Sequence, residues 1–149
     1  MKKNNRNHRA VVTGLGAVTP LGESADKFWE SLVTGESGIA NITLADTTQF
    51  PSKIAGEVTN FDPTTYMDTR DARRMARFSQ LAVAAAALAI EDAGLKIESE
   101  DQDRLGVVMG NGNGGFPATE DNARLLIKKG GMRMSPHFIP MILPINKVL

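Results

Sequence analysis

Ten consecutive residues, Leu81 to Ile90 (LAVAAAALAI), place no polar side chain on any face of a helix. They lie in a longer helical stretch, about Arg73 to Ala93, that begins amphipathic and ends on Glu91-Asp92. Gly94 follows, a residue suited to the left-handed turn after a helix. An element that is apolar all round must be buried all round, and alanine at most positions lets neighbouring backbone approach closely on several sides. A membrane span is excluded by length, since about 20 apolar residues are needed. A coiled coil is excluded because there is no heptad seam. The chain has 149 residues, which suggests one domain on the usual scale of about 100 to 200 residues. A domain of that size leaves much of its surface wet. The helix is therefore built for the middle of something larger.

Around this helix the remaining elements follow from local signals. Ala10-Val11-Val12 runs into Thr13-Gly14-Leu15-Gly16 and is expected to be a short buried strand. Ser24 as N-cap, Asp26 at the positive end of the dipole, and the i, i+4 pairs Phe28/Leu32 and Trp29/Val33 predict a helix that ends at Gly35. From Gly38 to Phe61 only short β-type runs stand out, Ser52 to Ala55 and Glu57-Val58, punctuated by Pro51 and Pro63. After the acidic linker Glu98 to Asp103, Leu105 to Met109 reads as a second buried strand. Pro117 in a first turn, with Glu120 and Arg124 at i, i+4, predicts a third helix ending near Gly130-Gly131. The order β, α, α, β, α gives an α/β class.

Formal net charge is zero with both signs interspersed, so no footprint for nucleic acid or an anionic membrane is expected. With no cysteine, the chain cannot build a disulfide framework or a thiolate zinc site, and it cannot itself supply a thiol nucleophile. His8 and His137 have no partner at ligand spacing, so no metal site is expected. Residues 1–8 are a polar tail expected to be disordered. The basic-then-apolar order that follows is interrupted by Thr13, Gly14, Gly16, Thr19 and Pro20, unlike a signal peptide. A soluble, cytoplasmic protein is expected.

The stretch Val107 to Pro117 (VVMGNGNGGFP) contains Gly110-x-Gly112-x-x-Gly115, formally a dinucleotide fingerprint between an apolar run and a helix. Two features weigh against a nucleotide. No carboxylate side chain follows Asp121 to hold a ribose, and the helix is expected to start at Pro117, beyond the third glycine. The other cluster, Thr13 to Pro20, lacks the third glycine. Equally, glycine in both places lets a loop turn sharply, or lets backbone approach backbone or a ligand.

Five stretches taken together carry a resemblance: RAVVTGLGAVTPLG, FWESLVTGESGI, RRMARFSQLAVAAAALAIEDAGL, RLGVVMGNGNGG and MSPHFIPMILP. In order and approximate spacing they resemble the N-terminal part of β-ketoacyl-[acyl carrier protein] synthases of the elongating type, over residues 9–144. The resemblance implies a thiolase-like fold of two similar α/β halves stacked in αβαβα layers, incomplete in this chain, in which the Ala-rich helix is sandwiched. The implied function is that of a 3-oxoacyl-[acyl carrier protein] synthase, which takes an acyl group onto a cysteine and condenses it with malonyl-carrier protein after decarboxylation. The implied partners are acyl carrier protein and a homodimer mate, and no cofactor is implied.

By the same resemblance Gly112, Asn113 and Gly114 correspond to a loop at the acyl pocket whose middle side chain limits chain length. Asn113 departs from the apolar residue the family often has there, commonly isoleucine. Phe138 and Ile142 match positions that reach across the dimer to line the partner's pocket; plain core or interface packing explains them equally. His137 matches no catalytic histidine, and neither the family's nucleophile nor its catalytic histidines fall in the matched region. The resemblance stops at Pro144, where Ile145 to Leu149 replaces the family's continuation. A frame shift, a gene fragment or a pseudogene would each produce that end. The expectation is a synthase segment unable to condense alone. A non-catalytic protein that docks on an intact synthase, and a nucleotide-binding Rossmann domain, are the other readings.

Overall fold

The computed structural model describes residues 9–112 and 114–143. The tail 1–8, Asn113 and residues 144–149 lie outside the described residues. The element order is α1 (Ala25–Thr34), β1 (Ile39–Asn41), β2 (Ile54–Gly56), α2 (Thr69–Ala72), α3 (Arg77–Asp92), α4 (Phe116–Lys129) and α5 (Phe138–Ile142), with single 3₁₀ turns between them.

Helix α1 forms where its caps predict. The Ser24 hydroxyl accepts from Lys27 N–H at 3.1 Å, and Gly35 turns left-handed at φ 76°. Gly35 N–H then reaches Leu32 O at 3.1 Å and Glu36 N–H reaches Ser31 O at 2.9 Å, the paired bonds that satisfy a helix end. Ser31 is buried, and its hydroxyl donates to Leu21 O at 3.1 Å. That bond ties α1 to the tight turn in which Thr19 and Gly22 exchange backbone bonds of 2.8 and 3.1 Å.

Strands β1 and β2 pair antiparallel, Ile39 opposite Gly56 and Asn41 opposite Ile54. The Glu57 carboxylate locks the chain beyond β1 to the end of β2. It accepts from Thr43 N–H and Thr43 Oγ1, both at 2.8 Å, and from Leu44 N–H at 3.0 Å. These donors stabilise the charged form and hold Glu57 below the ordinary carboxylate range.

The long helix begins later than its apolar pattern suggests, at Arg77 rather than near Arg73. Asp68 caps a separate short helix, α2, by accepting from Arg70 N–H at 2.7 Å. Ala76 then breaks the run in an extended conformation, ψ 157°. The Gln80 side chain donates to Ala72 O at 2.8 Å, taking a carbonyl that a continuous helix would have bonded along its own ladder. Beside this break the Arg77 guanidinium stands 4.6 Å over the Phe61 ring and donates to Phe61 O and Val58 O, both at 3.1 Å. Phe61 also stacks on Tyr66, and with Ala72 and Ala76 it forms the buried apolar centre of this half.

Two expectations are corrected. Ala10–Val12 and Leu105–Met109, read as buried strands, pair with no strand among the described residues, and Val12 and Val108 are 79% and 100% exposed. A strand needs a neighbour's N–H and C=O groups, and no described segment offers them. Nor is α3 buried on every face: within Leu81 to Ile90 only Ala84 is fully covered, and the rest is half-buried.

One segment does lie on α3. A Cβ placed on Gly14 would strike the Ala89 carbonyl oxygen and sit 2.6 Å from Ala93 N; on Gly16 it would strike Ala85 O and sit 2.6 Å from Ala89 N. Gly14 and Gly16 share one side of an extended chain, and Ala85, Ala89 and Ala93 share one face of the helix region. Bare backbone therefore rests on bare backbone. The contact is fastened at one end by Leu15 N–H donating to Asp92 Oδ2 at 2.8 Å.

Candidate functional site

The glycine stretch between Met109 and α4 divides into two parts. A Cβ at Gly110 or Gly112 would meet nothing within 4 Å, whereas one at Gly114 would lie 2.7 Å from Phe78 Cγ and 2.8 Å from Asn111 Oδ1. Gly115, buried and left-handed at φ 82°, is the N-cap of α4. Its Cβ would lie 3.3 Å from Phe78 Cε1 and 3.5 Å from both Cα and Cβ of Ile142. Space demands glycine at Gly114, and backbone conformation demands it at Gly115.

Helix α4 fixes the far side of this turn. It starts at Phe116 with Pro117 in its first turn, and Thr119 N–H and Oγ1 both reach Gly115 O at 3.0 Å. It ends at Gly130, φ 77°, with Lys128 and Lys129 in the last turn where the dipole favours positive charge. The expected Glu120–Arg124 pair forms at 2.5 Å but is well exposed, so it adds little.

The structure thus brings Gly114 and Gly115, at the start of α4, to one place with Phe78, and Gly115 with Ile142 at the end of α5. Ile142 is half-buried there. Phe138 lies one turn earlier on α5, also half-buried, at the i−4 position of the same face. Asn113 is outside the described residues. His137 precedes α5, and its carbonyl accepts from Met141 N–H at 2.9 Å. Phe78, at the start of α3, is the site residue that sequence reading passed over. Nothing in its spacing singles it out, and only the missing Cβ at Gly114 reveals it. Among the described residues no group of three or more His, Asp or Glu side chains could hold a metal ion, and no helix is long and apolar enough to cross a membrane.

Comparison with known proteins places this geometry. Residues 7–147 match the family model for the β-ketoacyl synthase N-terminal domain. The 3-oxoacyl-[acyl-carrier-protein] synthase 2 of Vibrio cholerae is 43% identical over 132 residues, 89% of this chain and 32% of the relative. The proteins of the same description from Staphylococcus aureus strain COL and from a Synechocystis strain are 41% and 43% identical, over 94% and 91% of this chain and 34% and 32% of theirs.

Among solved structures, the ishigamide ketosynthase/chain length factor superposes with a TM-score of 0.74 at 29% identity, over 89% of this chain and 33% of that one. A type II PKS acyl-carrier protein in complex with its ketosynthase gives 0.73 at 25% identity, over 90% and 35%. A β-ketoacyl synthase from Burkholderia phymatum gives 0.72 at 27%, over 90% and 33%. The chain belongs to the β-ketoacyl synthase family, and its fold is an incomplete thiolase-like α/β arrangement. It spans about a third of the length of the curated relatives it matches.

Proposed function

We propose that the chain is the N-terminal region of a 3-oxoacyl-[acyl carrier protein] synthase of fatty-acid elongation. The reaction is the decarboxylating condensation of malonyl-carrier protein with an acyl thioester. The observation that carries this reading is the match of residues 7–147 to the family model, together with relatives at 41 to 43% identity that all bear that description. On this reading residues 9–144 are the synthase region, acyl carrier protein and a homodimer mate are the partners, and the cytoplasm is the place of action. Gly112, Asn113 and Gly114 form the wall of the acyl pocket, and Phe138 and Ile142 line the partner's pocket across the dimer. The meeting of Gly115 with Ile142 supports grouping them.

The chain has no cysteine, so no thiol among its 149 residues can carry the acyl group. We infer that it does not condense substrates alone. Purified chain assayed for malonyl-carrier decarboxylation and for condensation is expected to give no turnover above a blank; robust turnover would refute this inference.

A second reading is favoured by the unpaired apolar run Val107-Val108-Met109, which is 50%, 100% and 38% exposed. It makes the chain a non-catalytic protein that docks on an intact synthase. Capture of a full-length synthase by the folded chain, at a defined stoichiometry, separates this reading from the first.

A further inference from the structure

Among the described residues, Asn111 is the one asparagine that precedes a glycine, and both residues of the pair are exposed. Neither the Asn111 side-chain amide nor the Gly112 N–H has a hydrogen-bond partner among the described residues. A Cβ at Gly112 would meet nothing within 4 Å. No neighbouring wall therefore restrains rotation about this peptide, and glycine is the residue whose own backbone resists it least.

The other described asparagines are each held. The amide that follows Asn41, Ile42 N–H, donates to Lys53 O at 2.9 Å. Asn60 precedes Phe61, which is buried, stacks on Tyr66 and lies under the Arg77 guanidinium. Asn122 sits within α4, and its side chain donates to Ala118 O at 2.9 Å.

We propose that Asn111-Gly112 is a self-modification site, at which the Asn111 side-chain amide is lost through a cyclic imide. The Gly112 nitrogen gives its proton to hydroxide and attacks Asn111 Cγ. A bond forms between that nitrogen and Cγ, the Cγ–Nδ2 bond breaks, and ammonia leaves with a proton taken from water. Water then opens the ring. Cleavage between Cγ and the Gly112 nitrogen gives aspartate, and cleavage at the main-chain carbonyl gives isoaspartate, with the backbone rerouted through Cγ. Either product lowers the formal net charge, zero in the unmodified chain, by one. The proposal stands on these two residues and is independent of any part the glycine stretch plays in an acyl pocket.

The full chain, held at mildly alkaline pH both folded and in urea, tests it by peptide mapping with fragmentation that assigns each conversion to one asparagine. In the folded chain Asn111 is expected to convert at least about tenfold faster than Asn41, Asn60 or Asn122, where ring closure must first break a local bond or move a packed ring. Urea is expected to speed those three and to change the rate at Asn111 by less than about twofold, since no local opening limits it. A strong acceleration of Asn111 in urea would mean that the fold protects it, and would overturn the proposal. Gly112→Ala places its Cβ in open space, so Tm is expected to stay unchanged while conversion slows by about tenfold. Conversion at the parent rate in that variant would rule out the imide. Isoaspartate is expected beside aspartate in the product, read as methyl transfer by an isoaspartate-specific methyltransferase. Aspartate alone would mean direct hydrolysis and would equally overturn the proposal.

Discussion

The segments Ala10–Gly16 and Leu105–Gly112 share a sequence design, a β-branched apolar run leading into paired glycines, yet they sit in opposite surroundings. The first lays its glycines on the backbone of α3 and is fastened by Asp92. The second passes through open space, with nothing near the Cβ positions of Gly106, Gly110 or Gly112. The same composition therefore states a need for close neighbours without saying which neighbours meet it. In this molecule the helix meets it once. The other run keeps its apolar side chains exposed, a surface of the kind that marks an interaction site.

Substitution separates the two segments most sharply at their extremes. Gly16→Val forces a side chain into the Ala85 carbonyl and the Ala89 amide. It is expected to destabilise the chain by about 3 kcal/mol, the upper range for overpacking. Val108→Lys, at a fully exposed residue, should change stability by less than about 0.5 kcal/mol. Urea melts of both variants give the comparison, and equal losses would erase the distinction.

A smaller effect belongs to the fastening. Asp92→Ala removes the acceptor of Leu15 N–H at an exposed position, and a loss of about 1 kcal/mol is expected. The nuclear magnetic resonance signal of the Leu15 amide reports it directly, by moving toward its solvent-exposed position in the variant.

The smallest effect is electrostatic and serves as a control outside both segments. Glu57 is held below its ordinary value by the Thr43 and Leu44 amides. A depressed carboxylate contributes stability that is fully present above its unfolded-state pKa and is lost as pH falls through its folded pKa. The Tm difference between the parent chain and Glu57→Gln should therefore be constant above about pH 4.5, the ordinary value, and should shrink as the pH is lowered further. The difference between the Gly16 and Val108 variants should not follow that curve.

What the sequence made legible was local. Ser24 and Gly35 bound α1, Gly94 at φ 60° closes α3 with its N–H on Glu91 O, and Gly130 ends α4, each through chemistry within a few residues. The break at Ala76 was not legible, because the apolar pattern runs through it and no glycine or proline marks it. The bond that stabilises it comes from Gln80, within the next helix. The expected strands failed for a similar reason, since pairing depends on a partner that no local pattern specifies. At the candidate site the glycines and Ile142 were visible through resemblance to the family. Phe78 was not, because its role lies in the space that Gly114 leaves rather than in any motif of its own.

Native-state hydrogen exchange on the intact chain tests the central contrast most directly. The account predicts that amides from Ala85 to Ala93, beneath Gly14 and Gly16, are the slowest in the chain, while those from Gly106 to Gly112 exchange at the rate of an unstructured peptide. Protection at residues 106–112 equal to that of α3 would contradict it, for that segment would then have a hydrogen-bonded partner and would not be an open face.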